Sequence, residues 1–262
     1  MIESIRTYLL EHNLNEPIGF SQWYYTKRKA LLIEIVDSSG AIGWGECYGP
    51  AGVTQSAVET FYAPLLIGKN ALENESLWNS LWHASHDFSM KGVMMGAISG
   101  LDMALLDLKG KLLNVSASVL MGGTGKKEID GYATGMYFTQ KDDHALLESI
   151  LSEANNYVDI GFEALKIKIG KNIGFDRTLI KAMRQTFSKL DLMADSNHAY
   201  DYNEAIQIGR LLEKNSYTWF EEPLSPTQPK LMAELVKKLD IAIATGECEQ
   251  TRWGFGMLLE TN

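Results

Sequence analysis

Two lysines and three carboxylates in the second half of this chain each stand at the end of a short apolar run. They are Lys166 and Lys168 in Ala164-Leu-Lys-Ile-Lys168, Asp195 in Leu192-Met-Ala-Asp195, Glu221 in Thr218-Trp-Phe-Glu221, and Glu247 in Ile241-Ala-Ile-Ala-Thr-Gly-Glu247. Lysines two apart on a strand point to one face. Two ammonium groups in one interior lower each other's pKa, and a lysine pushed down this way can act as a base near neutral pH. Three hard oxygen ligands suit Mg²⁺, which keeps open positions for water and substrate. Without a cation the carboxylates would repel one another, so the set predicts a metal. Singly, each residue has a plainer reading: lysines reaching solvent from a frayed strand end, or acids capping the helices that follow.

Spacing identifies the elements that must hold these groups. The steps from Lys168 to Asp195, Glu221 and Glu247 are 27, 26 and 26 residues. A strand, a crossover helix and two loops need about 25 to 30 residues, so this is the rhythm of consecutive βα units with parallel strands. Chemistry in such sheets sits at the C-terminal ends of the strands. The series predicts strands at 129–137, 162–169, 190–194, 217–220 and 241–244. Helices are expected at 142–158, 175–187, 202–214 and 229–239, with one more starting at Arg252. Asn197 shares the face of Asp195 and could bind ligand or metal-bound water. His198, one residue on, should point away from that face but stays a ligand candidate at an irregular strand end. Glu222 is expected to face outward beside Glu221.

The first third reads differently. Residues 1–10 and 29–36 are β-prone, Asp37-Ser-Ser-Gly40 is a hairpin turn, and Ile42 to Glu46 returns as a strand. Helical periodicity follows over 55–66, 74–86 and 96–113. The glycine-rich, charged segment Gly122-Gly-Thr-Gly-Lys-Lys-Glu128 marks the boundary, giving an α+β domain at 1–122 and an α/β domain at 123–262. Of the 262 residues 45% are hydrophobic, and the formal charge is −9. That charge argues against nucleic acid and anionic membranes as partners. No apolar run approaches the ~20 residues of a membrane span. Cys47 and Cys248 have neither zinc-site nor disulfide-framework spacing, so a soluble, cytoplasmic protein is expected.

The set Lys166-x-Lys168, Asp195-x-Asn197, Phe220-Glu-Glu-Pro223 and Gly246-Glu247 resembles the mandelate racemase and muconate-lactonising branch of the enolase superfamily. Gly43-Trp-Gly-Glu46 and the run from Ala97 to Gly110 are similar to the capping-domain motifs of that family. The resemblance implies an α/β fold: an N-terminal α+β capping domain and a TIM-like (β/α) barrel. It implies removal of the proton α to a carboxylate through an ene-diolate. Lys168 would be the base, Lys166 its assistant, and Asp195, Glu221 and Glu247 the Mg²⁺ ligands. Asn197, His198, Trp23 and Tyr24 would touch a small carboxylate substrate, the two aromatics from a cap loop at 16–25. Glutamate in Gly246-Glu247 looks more like the racemase and acid-sugar dehydratase side, so an acid-sugar dehydratase is expected, with a racemase, epimerase or cycloisomerase as alternative. A full barrel needs eight strands and about 250 residues. From Gly131 onward there are 132 residues, enough for about five βα units. A C-terminally truncated chain is therefore expected, whose second acid/base lies beyond Asn262 and which could be a non-catalytic fragment. Shielding of exposed edges makes a homo-oligomer plausible.

Overall fold

The computed structural model describes residues 1–21, 23–123 and 128–261. Most of the expected boundary, residues 124–127, lies outside the described residues. The chain divides into two compact units, one of residues 1–13 and 27–127, the other of residues 14–26 and 128–262.

A three-stranded sheet runs in the order β1-β2-β3, from β1 (Ile2–Phe20), β2 (Trp23–Asp37) and β3 (Ile42–Cys47); residues 2–13 of β1, 27–37 of β2 and all of β3 belong to the first unit. Strands β2 and β3 are antiparallel across the Asp37–Gly40 turn, where Gly40 has φ 83°. Leu31, Ile33 and Ile35 alternate inward and are fully buried. Both long strands exceed the expected ones: β1 continues through residue 20, and β2 begins at Trp23 rather than Lys29. Helices α1 (Ala51–Ser56) and α2 (Ala63–Leu66) are joined by a π-helical stretch, Ala57–Tyr62, and α3 (Asn74–Ser85) and α4 (Val93–Leu113) follow. A short α5 (Ala117–Leu120) closes the unit. Helix α4 lies against β3 through small residues. A methyl at Gly45 would collide with the Gly100 carbonyl, one at Gly43 with the Ala104 carbonyl, and one at Gly100 with the Cys47 sulfur.

The second unit holds a five-stranded parallel sheet in sequential order, β4 (Ala133–Thr134), β5 (Ala164–Lys168), β6 (Asp191–Asp195), β7 (Trp219–Glu221) and β8 (Ala242–Ala244). Helices α6 (Asp143–Asp159), α7 (Ile173–Thr186), α8 (Tyr202–Lys214) and α9 (Pro229–Lys238) alternate with the strands, and α10 (Thr251–Leu259) comes last. Their starts are written locally: Asp142 and Asn172 cap α6 and α7, and Asp201 with Glu204 forms a capping box on α8. The main departure is β4, two residues instead of nine. Met136 just beyond it takes φ 51°, which breaks the extended run.

Two polar groups, one half-buried and one fully buried, stitch this unit together. The Arg184 guanidinium donates to the carbonyls of Phe187, Leu190, Asn215 and Ser216 at 3.1, 2.9, 2.8 and 2.8 Å, satisfying chain ends around α7 and α8. Asp176 is fully buried, accepting from the Tyr200 hydroxyl at 2.8 Å and the Lys171 amide at 3.2 Å. Burial pushes its carboxyl up to about 6, against the lowering effect of those donors. No helix among the described residues is long and apolar enough to cross a membrane.

Candidate metal centre

Parallel register puts the chemistry in one row. Lys168 pairs with Asp195, Asp195 with Glu221, and Glu221 with Ala244 across four adjacent strands. Glu247 arrives three residues past β8, after Gly246 turns the chain at φ 120°. Asp195, Glu221 and Glu247 bring carboxylate oxygens within 4.8 Å of one another. Asp195 is fully buried, Glu221 half-buried and Glu247 exposed, so the cluster opens to solvent on one side.

The lysines enter from the same face. Lys168 Nζ donates to Asp195 Oδ2 at 2.6 Å and to Asn197 Oδ1 at 2.9 Å. Lys166 Nζ donates to Glu221 Oε1 at 2.7 Å and lies 3.8 Å from Asp195 Oδ2. Both side chains are about nine-tenths buried. Mutual lowering of the lysine pKa values is not what Lys166 shows. Burial does lower its affinity for a proton, but the bonded Glu221 and the nearby Asp195 outweigh it, and the net shift is upward.

Asn197 lies beside Asp195 and Lys168, placed there by the turn that follows β6 and not by strand alternation. Its amide donates to Asp195 Oδ1 at 3.0 Å while its side chain holds Lys168. His198 and Glu222 differ from expectation for one reason. Asn197, His198 and Glu222 have φ of 43°, 67° and 46°, so strand alternation ends at Asp195 and Glu221. Glu222 therefore turns inward and is 1% exposed, and His198 meets it, Nε2 lying 3.1 Å from Glu222 Oε2. Cys248 Sγ lies 3.5 Å from the same nitrogen. Burial, with the charges of Glu247 and Asp195, pushes the Glu222 carboxyl up to about 7.

Trp23 and Tyr24 sit on the surface, 68% and 41% exposed. The rings over Lys168 Nζ are instead Phe20 and Tyr137, at 5.2 and 5.9 Å, and Tyr132 lies 5.5 Å from Lys166 Nζ. Trp219 also escaped the sequence reading: its Nε1 donates to Glu221 Oε2 at 2.9 Å. The period of two would have found it, since Trp219 and Glu221 share a strand face. His83, His86 and His144 lie on or beside helices and His12 on β1, while Arg252 stacks on Trp253 at the start of α10.

Three hard oxygen donors that converge beside only two cations form a set suited to a divalent ion of the Mg²⁺ type. Comparison with known proteins identifies the relatives of this chain. Residues 4–122 match the family described as mandelate racemase / muconate lactonizing enzyme, N-terminal domain, and residues 149–262 match the enolase C-terminal domain-like family. A D-galactarolactone cycloisomerase from Agrobacterium fabrum is 36% identical over 98% of this chain and 68% of its own length. An arabinonate dehydratase from Saccharolobus solfataricus is 34% identical over 97% and 69%. Among solved structures, the 3,6-anhydro-D-galactonate cycloisomerase from Zobellia galactanivorans is 40% identical with a TM-score of 0.90, covering 99% of this chain and 69% of that one. A racemase from Streptomyces coelicolor with bound magnesium has a TM-score of 0.92 at 28% identity, covering 100% and 73%.

Proposed function

The chain belongs to the mandelate racemase / muconate lactonizing enzyme family, and from that membership we propose that it removes the proton α to the carboxylate of an acid sugar. The observation that carries this reading is the single row of Lys168, Asp195 and Glu221 across β5, β6 and β7. It sets a base candidate beside a carboxylate cluster. Lys168, in its unprotonated form, takes the proton, and Lys166 contributes positive charge and a hydrogen-bond donor. Asp195, Glu221 and Glu247 hold Mg²⁺. When bound, Mg²⁺ supplies the charge that stabilises the ene-diolate form of the substrate, as in the enolase-superfamily sites for which that role is general knowledge. Asn197 orients Lys168, and the rings of Phe20, Tyr132 and Tyr137 shelter the ammonium groups from water.

The favoured outcome is dehydration, in which a β-hydroxyl leaves after the proton, as the similarity to the arabinonate dehydratase suggests. Similarity to the two cycloisomerases supports a second reading, in which the same intermediate closes or opens a ring. We further read residues 1–122 as the capping domain and 123–262 as βα units of a TIM-like barrel, with His198, Trp23 and Tyr24 as substrate contacts. Cys47 and Cys248, neither of them in a disulfide, are in keeping with a cytoplasmic setting. Strands β4 and β8 at the sheet edges are in keeping with a homo-oligomer, which sedimentation would test.

The direct test is exchange of the α-proton of aldonates, aldarates and their lactones with D₂O, with and without Mg²⁺. Exchange that requires Mg²⁺ and is lost in Lys168→Met is expected. A 2-keto acid product identifies the dehydratase, and an isomer of unchanged mass the cycloisomerase. Absence of exchange across the series at saturating Mg²⁺ would overturn the proposal.

A further inference from the structure

Beside the carboxylate cluster, a second convergence of donors uses none of its residues. His198 Nε2, a Glu222 carboxylate oxygen and Cys248 Sγ all lie within 4.8 Å of one another. We propose that His198, Glu222 and Cys248 form a second cation site, suited to a thiophilic divalent ion of the Zn²⁺ type.

Hydrogen-bond arithmetic supports it. His198 Nδ1 lies 3.3 Å from the Leu224 carbonyl, which can only accept, so Nδ1 carries the proton. In the neutral ring Nε2 then presents a lone pair to the Glu222 carboxylate, which is itself an electron-pair donor, and to the Cys248 sulfur, which can donate its S–H as a thiol but offers only electron pairs as a thiolate. A Cys-His-Glu relay would need one partner on each ring nitrogen. Here both partners sit on the same nitrogen, the arrangement of ligands around an ion. The contact is resolved by a proton on Glu222 or on the ring, or by a cation at the common point. Fixing of Nδ1 by a backbone carbonyl is also how metal-binding histidines are oriented.

Distances and burial point the same way. Ligands of a tetrahedral zinc site lie roughly 3.3 to 3.5 Å apart, given bonds of about 2.0 Å to nitrogen and oxygen and 2.3 Å to sulfur. The nitrogen–sulfur and nitrogen–oxygen separations are 3.5 and 3.1 Å. Glu222 is 1% exposed; its Oε2, the oxygen nearest His198, also accepts from Asn197 Nδ2 at 3.5 Å, and its Oε1 is a buried acceptor with no hydrogen-bond partner among the described residues. A cleft lined by Glu222, Ser225, Pro226, Met232, Thr245 and Cys248 gives access. Mixed nitrogen, oxygen and sulfur donors prefer a borderline-soft ion, whereas the all-oxygen cluster prefers a hard one.

The test is titration of the purified protein with Zn²⁺, and with Co²⁺ as a spectroscopic probe, in saturating Mg²⁺. One equivalent of Zn²⁺ should bind, and Co²⁺ should give a thiolate-to-metal charge-transfer band. Cys248→Ser should abolish the band and weaken Zn²⁺ binding by about tenfold or more, while Glu247→Gln leaves both unchanged. Circular dichroism of Cys248→Ser establishes that it is folded, and Glu222→Gln, which keeps the shape, should weaken Zn²⁺ similarly. No binding in Mg²⁺, binding without the band, or binding that responds to Glu247→Gln but not to Cys248→Ser would overturn the proposal.

Discussion

Lys168 and Asp195 are register partners on adjacent parallel strands, and their charged ends meet at 2.6 Å in a place where Asp195 is wholly buried. Each is the main reason the other can stay charged there. Lys168→Met should therefore do two separable things. It should lower α-proton exchange by about 10²- to 10⁴-fold, the usual worth of a positioned base. Without Mg²⁺ it should also cost stability, up to about 3 kcal/mol, because the buried Asp195 carboxylate loses the nearer of its two counter-charges and keeps only Lys166 at 3.8 Å. Added Mg²⁺ should raise the melting temperature of the variant more than that of the unaltered protein. Differential scanning calorimetry with and without Mg²⁺ checks this.

Trp219 fixes one oxygen of Glu221 and leaves Lys166 on the other. Trp219→Phe keeps the ring but removes the N–H. Mg²⁺ affinity measured by calorimetric titration should fall roughly ten- to a hundredfold, as when other groups that orient a metal ligand are lost. An unchanged affinity would mean that Glu221 is held by its strand alone.

Asp176 predicts a pH dependence unrelated to catalysis. Its carboxyl is raised from 3.8 to about 6 by burial, so the folded state holds the proton more tightly than the unfolded state. Its contribution is fully present below about pH 4 and is lost as pH rises through about 6, by at most about 3 kcal/mol. Asp176→Asn should remove that part of the slope. Urea midpoints measured from pH 4 to 7 for both proteins would show it as a shallower decline in the variant.

Arg184 should matter for stability and not for turnover. Arg184→Ala strips donors from five carbonyls around the ends of α7 and α8, those of Phe187, Ser188, Leu190, Asn215 and Ser216, and a cost of about 2–3 kcal/mol is expected. Arg184→Lys should recover only part, since one ammonium cannot reproduce the fork. Proton exchange per folded molecule should be unaffected in both.

Much of the α/β half was readable because its signals are local and repeated. Apolar runs at a step of 26 residues gave β5 to β8 within a few residues, and the segments between them gave the helices. The row of Lys168, Asp195 and Glu221 follows from parallel register, which a constant repeat preserves. What resisted reading was set by backbone conformation rather than by pattern. Alternation assigned Glu222 outward and His198 away, but left-handed φ at Glu222, Asn197 and His198 sends both into one pocket, and no residue type there announces it. Strand β4 shrinks to two residues although 129–137 is β-prone, since a strand exists only where a neighbour pairs with it. The aromatics over Lys168 come from Phe20 and Tyr137, 117 positions apart in the chain, a separation that periodicity cannot bridge.

The small-residue seam between β3 and α4 works like a vernier. Two residues of strand advance about 6.7 Å and four of helix about 6 Å, so the two scales coincide over a short length. Small residues mark the coinciding graduations: Gly43 and Gly45 on the strand, Gly96, Gly100 and Ala104 on the helix. Slippage of the strand by one residue would bring Trp44 or Glu46 to a mark with room for only a hydrogen atom. The seam thus reports its own misalignment sterically, and a wrongly threaded hairpin cannot dock on α4 at all.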